Sequence, residues 1–207
     1  MPSFKAFVIV VWIAAVCAIS GWAQSAPPSV FIETERIFNR QGEPFTQFVL
    51  TLNRSLQRAP NYSWQVAADG WAGGEDPYFA LRLEACRRVE RGAHAIQSCG
   101  GMGVYYEVQT NGASPVAAIS AEADWFHGRV KSYASFERAF MAPTFSYYHA
   151  EASAAAWERG RFRVSAGVLS RTIQRAAAKL ALDFDQRAQL FATAGSGQAT
   201  VGVSLRF

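Results

Sequence analysis

The sequence predicts an all-β fold: a closed, antiparallel, up-and-down barrel of about twelve strands, with eight or ten as the alternatives. Three observations lead there. Apolar and polar residues alternate in one short segment after another. Turns bearing Gly or Pro separate those segments with little spacer. The last segment, Thr200–Phe207, alternates without a break up to a terminal aromatic residue.

Taken in order, the segments fall near 29–39, 46–56, 62–72, 78–88, 102–110, 116–126, 128–138, 144–156, 161–172, 177–185, 188–195 and 199–207. Phe48, Leu50 and Leu52 alternate with Gln47, Thr51 and Asn53. Further on, Phe79, Leu81, Leu83 and Ala85 oppose Arg82 and Glu84, and Phe162, Val164 and Val168 oppose Arg161, Arg163 and Ser165. Successive strand residues point to opposite faces, so two different surroundings leave a period of two. The separators include Gly73-Gly74-Glu75-Asp76-Pro77, Asn111-Gly112-Ala113-Ser114-Pro115 and Gly195-Ser196-Gly197. They read as turns, because Gly supplies positive φ and Pro cannot join a central ladder. Two stretches are ambiguous. Ser170–Leu182 also fits an amphipathic helix, and His149–Trp157 is Ala-rich and helix-tolerant; a helix there lowers the strand count.

The N-terminus indicates the compartment. Lys5 is the only charge before residue 33, Ala6–Ile19 is nearly all apolar, and Gly21-Trp22-Ala23 places small residues where a signal peptidase reads. This is the pattern of a secretory signal peptide over 1–23, followed by an extended leader over 24–28 and a single domain over 29–207. Cys17 follows Val16, where a lipoprotein signal needs a small residue, so lipidation is not expected. Cleavage removes one Lys and no acid, taking the net charge from +4 to +3. That mild and dispersed excess does not mark a nucleic-acid partner. Cys86 and Cys99 remain as an even pair, and in an oxidising compartment they are expected to form a disulfide around a local loop, contributing about 3 kcal/mol.

Alternation alone does not say which face is buried, since a secreted β-sandwich also alternates. Short turns favour a meander that must close to remove its edges. Aromatics at segment ends, among them Phe45, Trp71, Tyr78, Trp125, Phe126, Phe140, Phe145 and Trp157, are where an interfacial girdle would stand. In the final strand, Thr200, Gly202, Leu205 and Phe207 follow a fixed spacing. This tail resembles the C-terminal signal strand of bacterial outer-membrane β-barrels, in which a polar residue, a glycine, a hydrophobic and a terminal aromatic are read by the barrel-assembly machinery. The resemblance implies that machinery as a partner. It also implies Sec-type export, the outer membrane of a Gram-negative bacterium as the location, and outer-membrane lipid and lipopolysaccharide as surroundings.

In such a barrel the apolar faces meet lipid and the polar faces line the lumen. The expected lumen-lining residues are Arg82, Glu84, Glu107, Glu122, Asp124, Arg161, Arg163, Lys179 and Asp183, with Glu33, Glu35, Asp69 and Glu137 on the same faces. Their signs are mixed, and no run of one sign marks an ion-selective constriction.

Tyr147, His149, Glu151 and Ser153 share one face of a segment, and His, carboxylate and hydroxyl are the parts of a serine hydrolase. This makes His149, Glu151 and Ser153 the catalytic candidates for an enzyme acting on lipid A. Alternate residues of one strand stand about 7 Å apart, however, and a base must reach its nucleophile at about 3 Å. Polar lumen residues are the simpler reading, and a non-enzymatic barrel is expected. His94 and His127 lack metal-ligand spacing, and Gly100-Gly101-Met102-Gly103 is not followed by the Lys-Ser/Thr of a phosphate loop, so neither a metal nor a cofactor is expected. The sequence thus points to a small channel or export pore for polysaccharide or small solutes, the first of these implying a polysaccharide export system as a partner. A lipid A-modifying barrel enzyme and a secreted binding module are the alternatives.

Overall fold

A computed structural model describes residues 29–39, 42–56, 59–73, 77–142, 144–185 and 187–207. The signal peptide and the leader expected over 1–28 lie outside the described residues. Twelve strands form one closed sheet in which each pairs with its sequence neighbours and the last returns to the first. They are β1 (Ser29–Asn39), β2 (Phe45–Leu56), β3 (Ala59–Ala72), β4 (Tyr78–Arg91), β5 (His94–Glu107), β6 (Gly112–Trp125), β7 (Val130–Ala139), β8 (Phe145–Arg159), β9 (Phe162–Arg171), β10 (Gln174–Phe184), β11 (Ala188–Gly195) and β12 (Gln198–Arg206). Every pair is antiparallel, so this is an up-and-down barrel. Closure leaves no free sheet edge, so backbone donors and acceptors along the wall are paired within the sheet.

The even strand number brings both ends of the barrel chain to one rim, here the near rim. Closure there is made by β1 against β12, with Phe31 opposite Arg206 and Asn39 opposite Gln198. Beyond the first of these pairs, at the near rim, Val30 and Phe207 exchange two backbone hydrogen bonds of 3.0 and 2.9 Å.

The burial pattern settles which face is which. Leu83, Val104, Ile119, Val168, Leu180, Leu190 and Val201 are exposed on the outside, while a residue one position away from each is buried. Arg82 and Glu84 flank the exposed Leu83 in sequence and are themselves buried. An inside that is charged and an outside that is apolar is the arrangement of a barrel in hydrocarbon, the reverse of a sandwich in water.

Both helix-tolerant stretches are strand: Ser170–Leu182 is the end of β9, a turn at Thr172-Ile173 and most of β10, while 149–157 lies within β8. In each, inward and outward residues alternate except at one bulge, between Gln174 and Ala177 and between Ala155 and Trp157, and the sheet supplies the hydrogen-bond partners that a lone helix would have made for itself. The segment between the cysteines is not a loop. Β4 and β5 run on through it, turning only at Gly92-Ala93, and Cys86 stands directly opposite Cys99 as a bonded rung of the hairpin.

Two further expectations are corrected. Pro115 belongs to β6, opposite Val104, and not to a turn. It sits at the end of the β6–β7 ladder, one residue outside the Val116–Ala139 pair, where its carbonyl still accepts from the Phe140 N–H at 3.1 Å and the missing N–H interrupts no interior rung. The aromatic residues at segment ends do not form one girdle. Phe126, Phe140 and Trp157 are exposed on the outside, but Tyr78 is buried in the interior, with Trp71 and Phe145 packed against the same cluster.

Candidate functional site

The barrel interior is the site that the topology builds, and it has three parts. At the far rim, opposite the chain ends, aromatic rings fill one side. Tyr78 lies 4.9 Å from Trp71, 4.8 Å from Phe145 and 5.3 Å from Tyr105, and Phe45 adds its ring against Trp71 at 5.3 Å. Ala80 and Val116, fully buried, complete this layer.

Directly beneath sits a buried ion cluster. Arg82 contacts Asp69 at 2.5 Å, Glu84 at 3.0 Å and Glu137 at 2.8 Å, and the Tyr78 hydroxyl donates to Asp69 at 3.1 Å. Gln65 donates to the second oxygen of Glu84 at 3.0 Å. Three acids around one guanidinium join β3, β4 and β7. Arg82 reaches β7 because the inward positions of β5 and β6 between them are small: Gly101, Gly103 and Ala118. A Cβ at Gly103 would lie 1.9 Å from the Leu81 carbonyl oxygen and 2.7 Å from Arg82 Cα, so only glycine allows this close approach.

The other side of the far half is closed by a second crossing. Arg171 at the end of β9 makes a two-point contact with Glu35 on β1 and donates to Gln174 at 3.2 Å. Gln174, fully buried, donates to the carbonyls of Gly195 and Gln198 and accepts from Thr193, which is bonded to Thr200. Two-point guanidinium–carboxylate contacts fix direction as well as charge. The side chains of Arg82, Asp69, Glu84, Glu137, Arg171 and Glu35 are each at most 8% exposed, so the charged groups at this level meet one another and hardly any solvent.

Midway down, Lys179 on β10 donates to both oxygens of Glu151 on β8 at 2.8 Å, and its ammonium lies 4.8 Å above the Phe191 ring. His149 Nε2 stands 3.6 Å from Glu151. His149, Glu151 and Ser153 therefore all face the interior, opposite Ser135, Tyr133 and Lys131 on β7, away from the apolar outer face. Glu151 is engaged by Lys179, and no hydrogen bond joins Ser153 to His149 among the described residues. The arrangement is an ion pair with a neighbouring imidazole, without an assembled nucleophile.

Towards the near rim the interior opens into a vestibule of about 400 Å³. Lys131, Arg163, Asp183, Gln189 and Arg206 project into it from the wall, and the turn residues Arg161, Asp185 and Arg187 stand around its mouth. Arg163 is bound to Glu158 at 2.7 Å and to the Gly128 carbonyl at 2.9 Å, while Gln189 donates to Asp183 at 2.7 Å.

The residues read from sequence as lumen-lining thus fall in different places. Arg82 and Glu84 belong to the far cluster, Lys179 to the middle, and Arg161, Arg163 and Asp183 to the vestibule. Glu107 is at the far rim, accepting from Thr110 at 2.5 Å. Glu122 and Asp124 face inward opposite Tyr133 and Lys131, with Asp124 4.0 Å from Arg88. Tyr78, Arg171 and Gln174 were not among the expected site residues. For Tyr78 a signal existed, because it shares strand parity with Arg82 and Glu84.

In the closing strand, Thr200 and Gly202 point inward, while Leu205 and Phe207 have the outward parity and Phe207 is 72% exposed. A Cβ at Gly202 would lie 2.3 Å from the Phe191 ring and 2.8 Å from Glu35 Cβ. The glycine therefore makes room for the floor of the vestibule.

No protein-family model matches the sequence, and no curated protein matches it. Among solved structures, the chain is similar to the translocator domain of the autotransporter NalP from Neisseria meningitidis, at 12% identity and a TM-score of 0.42, covering 98% of this chain and 96% of that one. It is also similar to Pseudomonas putida OprB, at 10% identity and a TM-score of 0.32 over 95% and 96% of the two chains. A mutant of the Rh. blastica porin matches at 7% identity and a TM-score of 0.28 over 87% and 99%. At these identities the likeness is one of barrel architecture alone.

Proposed function

We propose that the protein is an integral outer-membrane β-barrel of a Gram-negative bacterium, and that it serves as a small-solute channel shut by its own interior. In this reading it is exported by the Sec route and inserted by the barrel-assembly machinery, and its outward apolar face is embedded among outer-membrane lipid and lipopolysaccharide. The observation that carries the channel reading is the nature of the seal. Beyond a vestibule of about 400 Å³ the interior is crossed by ion pairs, Lys179 to Glu151 in the middle and, farther in, Arg82 to Glu137 and Arg171 to Glu35. A barrel closed once and for all is as well or better stabilised by apolar packing as by buried ion pairs. Charged groups and tyrosines, in contrast, regain water when a solute or a field displaces them. The vestibule suits a small solute; a polysaccharide strand would need the whole seal to be removed.

Single-channel recording in planar bilayers tests this. Wild-type protein is expected to be mostly silent with rare, brief openings, whereas Glu35→Gln with Arg171→Met lengthens and enlarges them. A double variant that keeps the heat-modifiable gel migration of a folded barrel, yet adds no conductance, overturns the channel reading and leaves a structural role.

A further inference from the structure

We infer that the near-rim vestibule is a binding site for a small multivalent oxyanion, a solute carrying two or more carboxylate or phosphate groups. This deepens the channel reading, on which the identification of that ligand as the permeant rests. Five cationic side chains line the cavity, Lys131, Arg161, Arg163, Arg187 and Arg206, against three carboxylates, Glu158, Asp183 and Asp185.

The pairing is uneven. Glu158 neutralises Arg163, and Asp183 is occupied by Gln189. Among the described residues, no carboxylate lies within 4.0 Å of Lys131, Arg161, Arg187 or Arg206, although every other interior cation of the middle and far layers has one. Arg206 rests instead over the Phe31 ring at 5.6 Å.

The backbone sets two of these cations side by side: the Arg206 N–H donates to the Arg187 carbonyl at 2.7 Å, while the Asp185 N–H donates to the Arg161 carbonyl at 2.8 Å and ties the two turns together at the mouth. Arg187 and Arg206 are thereby cross-strand neighbours of like charge, an arrangement that destabilises a sheet unless an anion stands between them. Their guanidinium groups present paired N–H donors that match the oxygen spacing of carboxylate and phosphate. The concave wall limits competing water, and the small inward residues below, Ser165, Ala181 and Gly202, leave the depth for a ligand above Phe191.

The test is isothermal titration of sodium tripolyphosphate, as a probe oxyanion, into the full barrel folded in detergent at low ionic strength. Saturable binding is expected for wild type, weakened at least about tenfold in Arg161→Gln/Arg187→Gln, which removes two bidentate partners. The charge-matched control Arg91→Gln/Arg175→Gln, at positions outside the cavity, retains wild-type affinity. If the double variant folds poorly, Arg187→Gln alone gives the same comparison with a smaller loss. Heats equal to the detergent blank, or equal loss in the control, overturn the inference. Calorimetry does not need an open lumen, so binding without conductance defeats the channel reading alone, and conductance without binding defeats the anion site alone.

Discussion

Arg82 on β4 and Glu137 on β7 meet at 2.8 Å inside the barrel, with two strands between them whose inward positions are nearly bare. The pair exists because Gly103 keeps the guanidinium stem close to the wall, and because Asp69 and Glu84 hold the same arginine from the other side. One cation satisfies three acids at a depth where none of them meets bulk water.

Removing that cation is therefore the costly change. Arg82→Met leaves Asp69, Glu84 and Glu137 as uncompensated buried carboxylates and is expected to lower stability by about 3–5 kcal/mol. The double variant Arg82→Met/Glu137→Gln should lose less than the sum of the two single changes, since it removes one of the stranded charges. Urea midpoints of the folded barrel in lipid bilayers measure both. Additive losses would mean that the two groups are not coupled.

Gly202 offers a packing test. Gly202→Val places a side chain where the Phe191 ring and Glu35 Cβ already are, at 2.3 and 2.8 Å from the first added carbon. Overpacking of this kind costs about 1–3 kcal/mol, here at the seam that closes the barrel. Phe191→Ala in the same chain should restore much of the folded, heat-modifiable fraction. If it restores none, the glycine matters for backbone reasons and not for room.

How much of this was legible in the sequence depends on parity. Along 78–88 the charges Arg82 and Glu84 mark one face, so the alternation of Leu81 and Leu83 identifies the other as the apolar outer face. At Tyr78-Phe79 both residues are aromatic and the pattern goes blank. Counting back from Arg82 puts Tyr78 inside, and the same count from Asp69 and His149 puts Trp71 and Phe145 there too. The turn at Thr172-Ile173 carries no Gly or Pro, which is why the end of β9 and the start of β10 could pass for a helix and why Arg171 and Gln174 were missed. The crossings from Arg82 to Glu137 and from Arg171 to Glu35 are beyond any local pattern. They depend on how far the strands are staggered when the sheet closes.

The disulfide is expected to stabilise without being needed for the fold. Cys86 and Cys99 are a direct register pair, 13 residues apart, in a hairpin whose strands already pair from Tyr78–Glu107 to Arg91–His94. Cys86→Ser/Cys99→Ser should lower stability by at most about 3 kcal/mol on the chain-entropy account. The same shift should follow reduction of the wild type. A variant that fails to form a heat-modifiable barrel at all would show that the rung guides folding.

Phe207 separates assembly from stability. Its backbone makes two hydrogen bonds with Val30 at the closing seam, and its ring is on the outside, where it adds little to interior packing. Deleting it removes those bonds, each contributing about 1 kcal/mol, and so should weaken the barrel only modestly. If the terminal aromatic is also read by the assembly machinery, the deletion should leave spontaneous refolding into lipid vesicles nearly intact while sharply lowering the amount found in outer membranes of cells. Phe207→Tyr, which keeps both the backbone bonds and an aromatic ring, should behave as wild type in both assays. Phe207→Ser keeps the backbone bonds but not the ring, so it should refold in vesicles and fail in cells. Equal loss in vesicles and in cells would assign Phe207 to the seam alone and remove its role as a signal.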